Sequence, residues 1–190
     1  RYEASLSAAE LHQLLWGIYD EAYQRIRQID QNHVIIMEAT WDPVDLPNPQ
    51  EYGWENVMYE YHNYHWGDYD NLEGKQVEGI RGRLQQIRQA GYNVPSFLGE
   101  FTFFNNLTAW EKALALVDDF GMCWTSWTYK VTEGNSYWGI RSQKNANLDL
   151  ETASIEEIRE AWSAVDQSNE HVGLRLVLEK FYKRVYIPAQ

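Results

Sequence analysis

The sequence is short of cysteine, of positive charge and of long apolar runs. A single cysteine, Cys123, excludes a disulfide framework and a cysteine-built zinc site within one chain. No stretch approaches the roughly 18 apolar residues that a membrane-spanning helix needs. Lys and Arg number 16 against 28 Asp and Glu, a net charge of −12. That sign removes the main affinity term for nucleic acid and for an anionic membrane surface, so neither is expected as a partner. The N-terminus has no signal-peptide order of basic, apolar and small residues. It opens at Arg1 rather than Met, which hints at residues upstream. No fixed-period repeat, low-complexity stretch or linker divides residues 1–190, so a single unit is expected.

Aromatic residues are abundant: 9 Trp, 13 Tyr and 6 Phe. An acidic, aromatic-rich composition suits carbohydrate binding, because sugar C–H faces stack on Trp and Tyr while carboxylates accept from sugar hydroxyls. A Trp-rich core explains the same numbers.

Periodicity gives the order of elements. Ser7-Ala8-Ala9-Glu10 is a capping box, followed by Leu11, Leu14, Leu15, Ile18, Ala22, Ile26 and Ile29 on one helical face. His33–Thr40 reads as a strand buried on both faces. Residues 41–56 hold three prolines and read as loop. A strand over 56–64 and a helix marked by Val77, Ile80, Leu84 and Ile87 follow. Next come a strand over 94–101 and a helix opened by the capping box Thr108-Ala109-Trp110-Glu111 and closed at Gly121. A strand over 122–129, a helix capped at Ser154 and a last helix over roughly 169–186 complete the chain. Alternating strands and helices make an α/β fold with a parallel sheet of about four strands. That is half of a closed eight-stranded barrel, which takes about 250 residues.

Four stretches at strand ends, where parallel α/β folds bind ligands, carry the candidate chemistry. Glu100 ends the apolar run Pro95–Phe101 after Gly99; a carboxylate there is costly unless paired or used. A cap or an ion pair is the other explanation. In Tyr59–Trp66 the period of two sends Glu60, His62 and Tyr64 to one side, where an imidazole and a phenol can hold a carboxylate. A satisfied polar network is the alternative. His62 and His65 fall on opposite faces, which does not make a metal site. Trp124–Lys130 and Trp138 offer stacking surfaces, and Glu38-Ala39-Thr40-Trp41 is a weaker signal.

These stretches together, in order and spacing, resemble strands five to eight of glycoside hydrolase family 5, the cellulase-type (β/α)8 TIM barrels. The resemblance spans nearly the whole chain. It implies that residues 1–190 are the C-terminal half of the catalytic domain of a retaining glycosidase that hydrolyses O-glycosyl bonds in a β-glucan or oligosaccharide. It implies Glu100 as nucleophile, His62 and Tyr64 as the pair that orients it, and Trp127 as the floor of the subsite. Glu38, Trp41, Trp66, Trp124 and Trp138 are candidate lining residues. No metal and no organic cofactor is implied, and family members are usually secreted.

The family's acid/base glutamate lies in an Asn-Glu-Pro motif at the end of strand four, and no Asn-Glu-Pro occurs here. A retaining glycosidase needs two carboxyl groups about 5–5.5 Å apart. The lone chain is therefore expected to be inactive, and to be completed by an N-terminal half-barrel chain or by a second copy of itself. The alternative is a non-catalytic half-barrel that self-associates or binds carbohydrate.

Overall fold

A computed structural model describes residues 6–66, 73–132, 138–143, 148–165 and 168–182. Helix α1 (Ala8–Arg27) starts at the expected capping box: Ser7 Oγ accepts from Glu10 N–H, and Glu10 Oε2 accepts from Ser7 N–H at 2.7 Å. Strand β1 (Ile35–Glu38), strand β2 (Val57–Asn63), helix α2 (Glu73–Ala90), strand β3 (Ser96–Phe101), helix α3 (Leu107–Phe120) and strand β4 (Cys123–Trp124) follow. The four strands form one parallel sheet in the order β1-β2-β3-β4. Strands β5 (Lys130–Thr132), β6 (Arg141–Gln143) and β7 (Ser168–Glu170) form a second sheet; helices α4 (Ile155–Val165) and α5 (Val172–Tyr182) complete the described chain. The architecture is α/β, with one parallel sheet and flanking helices, as in a partial (β/α)8 barrel.

Among the described residues, the helices cover one face of the parallel sheet. Tyr59, Tyr61, Leu98 and Phe101 are buried with Ile80, Trp110, Leu114 and Leu178, which places the core on the helix side. The opposite face carries Ile36 and Glu38 of β1, Glu60 and His62 of β2, and Phe97 and Glu100 of β3, none fully buried. One row crosses the whole sheet on this face: Glu38 pairs with Glu60, Glu60 with Phe97, and Phe97 with the exposed Cys123.

Several expectations need correction. The apolar run of β1 is not buried on both faces: Met37 is covered, whereas Ile36 keeps 49% of its surface exposed. The loop over 41–56 contains two short 3-10 turns, Pro43–Asp45 and Pro49–Tyr52, each begun by its proline. Asn106, not Thr108, caps α3, its Oδ1 accepting from Ala109 N–H at 2.9 Å. The strand expected over 122–129 is regular only at Cys123–Trp124. Beyond it, Thr125 N–H still donates to Leu98 O and Trp127 N–H to Phe101 O. Strand β7 occupies the start of the expected last helix, which begins at Val172; its end lies outside the described residues. The second sheet was not foreseen, because its strands are three residues long and mostly polar.

Candidate active site

A β-bulge places Glu100. Tyr61 pairs with Leu98, but His62 pairs with Glu100, so Gly99 is an extra residue without an opposite number. Strict alternation from Phe97 would send Glu100 toward the helices. The extra residue instead puts Glu100 beside His62 on the open face, and returns Phe101 to the core, where it is fully buried. Gly99 is also the residue that fits. A Cβ there would lie 1.6 Å from Glu60 Oε1.

Around Glu100 the polar groups converge. Tyr64 Oη donates to Glu100 Oε2 at 2.9 Å. Burial, then the bond to Glu100, pushes the phenol pKa well above its ordinary value, so Tyr64 remains a donor at neutral pH. His62 Nδ1 lies 3.6 Å from Glu100 Oε2 and 3.4 Å from Glu38 Oε1, while its Nε2 lies 3.6 Å from Glu60 Oε1. One imidazole thus stands among three carboxylates from three strands. Burial raises the Glu60 pKa, His62 opposes the rise, and Glu38 and Glu100 add to it. Among the described residues, no group of three His, Cys, Asp or Glu side chains is arranged to hold a metal ion.

An aromatic cluster borders these groups. Tyr64 stacks on Trp66 with centroids 5.5 Å apart, and Trp138 lies 5.8 Å from Tyr64 and 5.4 Å from Trp66. Phe104 packs under both tryptophans at 5.9 and 5.6 Å. It adopts a left-handed φ of 49°, uncommon for an aromatic residue. Trp127 is exposed where the chain leaves β4, held by its N–H bond to Phe101 O, and Trp41 is exposed on the loop after β1. Trp124 stands apart: it packs against Phe101 and Tyr182 on the helix side of the sheet. The structure therefore brings Glu38, His62, Tyr64 and Glu100 together, joins Trp66 and Trp138 to them through Tyr64, and leaves Trp124 in the packing. Phe104 had no sequence signal of a role. Glu60 had one, its shared side with His62.

At the strand ends of the parallel sheet, carboxylates therefore stand together with an imidazole and a phenol, and the phenol carries on into a tryptophan cluster. Residues 9–133 match the family model Cellulase (glycosyl hydrolase family 5), and the chain belongs to that family. Among solved structures, that of XacCel5A is similar, with a TM-score of 0.46 and 17% identity over 85% of this chain. The match spans 56% of that protein. No curated protein matches the chain significantly.

Proposed function

We propose that the chain is the C-terminal half of a (β/α)8 barrel glycosidase that hydrolyses a β-glucan or its oligosaccharides with retention. The observation that carries this reading is the 2.9 Å bond from Tyr64 Oη to Glu100 Oε2 at a strand end, with His62 on the same face. Tyr64 occupies one carboxylate oxygen, which leaves the other to attack the anomeric carbon. The new C–O bond is an ester to Glu100, and the glycosidic C–O bond breaks. The leaving oxygen takes its proton from an acid that these 190 residues do not supply in an Asn-Glu-Pro motif. A strand-four glutamate of the complementary half would provide it, then deprotonate the water that cleaves the ester. Trp127, Trp66 and Trp138 offer rings for sugar faces, with Glu38 and Trp41 at the rim.

Chemistry without the missing acid provides the test. In 2,4-dinitrophenyl 2-deoxy-2-fluoro-β-cellobioside the leaving phenolate needs no protonation. Incubation with the chain should leave a fluoroglycosyl ester on Glu100, found by peptide mass, and Glu100→Gln should carry none. Absence of an ester on Glu100 at saturating reagent overturns the nucleophile.

A second reading is a half-barrel that binds carbohydrate without turnover, alone or paired with a copy of itself. The exposure of Trp127, and of Trp66 where it stacks on Tyr64, favours it. It predicts tryptophan fluorescence changes with cello-oligosaccharides and no ester.

A further inference from the structure

Glu60 is the interior carboxylate that the proposed reaction leaves without a role. It shares one face of β2 with His62, and in register it stands between Glu38 of β1 and Phe97 of β3. The groups that face it are His62 on its own strand, Glu38 from β1 and Glu100 from β3, with the Cys123 thiol of β4 further along the same row beyond Phe97. Its Oε1 is 3.6 Å from His62 Nε2, on the far side of the ring from the nitrogen that faces Glu38 and Glu100. A Cβ on Gly99 would fall 1.6 Å from Glu60 Oε1, 2.5 Å from its Cδ and 2.8 Å from its Cγ. The carboxylate therefore fills space that only glycine leaves open. That glycine is also the extra residue of the bulge that turns Glu100 toward the open face.

We propose that Glu60 is a positioning residue for the Glu100 reaction: seated on Gly99, its carboxylate engages the Nε2 side of His62 and keeps Nδ1 turned toward Glu100. The proposal rests on Glu100 being the nucleophile.

The stability of the chain separates this role from a packing role. The Glu60 pKa is raised in the folded protein, first by burial, against His62 and with Glu38 and Glu100. A carboxyl with a raised folded pKa binds its proton more tightly when folded. Its contribution to stability is present at low pH and declines as pH rises above its ordinary value through the folded one. Above the folded value the charged form burdens the fold, so a neutral isostere should be tolerated or stabilising. A residue retained for packing alone has no reason to be charged there.

The experiment measures reaction of the 190-residue chain with the dinitrophenyl fluoroglycoside, alongside thermal unfolding at pH 7. For Glu60→Gln, the rate constant at saturation should fall about tenfold or more, while the concentration giving half-saturation stays within about twofold. The unfolding midpoint should be unchanged or higher. Gly99→Ala, which forces the carboxylate aside, should lower the same rate constant. An unaltered Glu60→Gln rate overturns the proposal. So does a rate that falls only together with the unfolding midpoint and the half-saturation value. A wild-type chain that never forms the Glu100 ester overturns the nucleophile assignment and this proposal with it; a labelled wild type with an equally reactive Glu60→Gln overturns this proposal alone.

Discussion

The bond from Tyr64 to Glu100 ties the residue just past β2 to β3 through one phenolic hydrogen. Removing it should matter more to reaction than to folding, because the acceptor is partly exposed and can turn to water. Tyr64→Phe should slow ester formation by about ten- to a hundredfold, the range of a hydrogen bond to a charged group, with little change in unfolding midpoint. Equal rates for Tyr64→Phe and wild type would remove Tyr64 from the site. Much at this scale was legible in the sequence. Glu100 after a glycine at the end of an apolar run, and His62 and Tyr64 two residues apart, are local patterns, and the structure sets them side by side. The facing of Glu100 was not legible from periodicity. Strict alternation from Phe97 turns it toward the helices, and the bulge that reverses this appears only when β2 and β3 are paired. Trp124 illustrates the converse. A tryptophan near a site motif reads like a sugar platform, and which face it takes is decided by pairing with Leu98.

Short polar contacts hold the elements in place, and their strengths differ in ways that can be checked. Helix α3 starts at Asn106, whose side chain accepts from Ala109 N–H. Asn106→Ala should lower stability by about 1 kcal/mol, while Thr108→Ala should change it little. Chemical denaturation of both variants tests the choice of cap. The loop after β1 is gathered by Asp45. Its carboxylate accepts from Thr40 Oγ1 at 2.5 Å, Trp41 N–H at 2.7 Å and Asp42 N–H at 2.8 Å, and lies 3.1 Å from His12 Nε2 on α1. Burial pushes its pKa up, but these hydrogen bonds outweigh burial and hold it below the ordinary carboxylate value. A depressed folded pKa contributes stability above the unfolded value that is lost as pH falls through the folded one. Unfolding midpoints of the wild type should therefore fall more steeply below about pH 4 than those of Asp45→Asn. Parallel curves for the two proteins would remove Asp45 as the cause. Helix periods and the Ser7 and Ser154 caps could be read from sequence because their signals are local. The small sheet of β5, β6 and β7 could not. Three-residue strands carry no period, and β7 reaches β6 from beyond helix α4.

On the scale of the whole molecule, apolar surface is distributed unevenly. Helix α1 is fixed by polar contacts: Trp16 Nε1–H donates to Asp45 O, Tyr19 Oη to Glu38 O and Trp54 Nε1–H to Asp20. Its stripe of Leu11, Leu14 and Ile18 nevertheless faces solvent, the last two at 58% exposure, and Val34 and Ile36 are separately exposed, just before β1 and within it. Each Å² of apolar area left in water costs about 25 cal/mol, so exposed apolar residues gathered on one helix face favour association. Sedimentation at micromolar concentration should reveal self-association of the chain, or assembly with a chain carrying strands one to four. Leu14→Glu with Ile18→Glu should raise the monomer fraction. A monodisperse wild-type monomer that hydrolyses β-glucan would overturn the half-barrel reading and the requirement for a supplied acid together. The row of side chains that crosses the open face offers a simpler gauge, because it ends at Cys123, the sole thiol of the sequence and exposed. Any partner that closes over that face must come between Cys123 and the solvent. The rate at which a chromogenic disulfide reagent consumes the thiol would then time the arrival of such a partner, with no label to install and no residue to change.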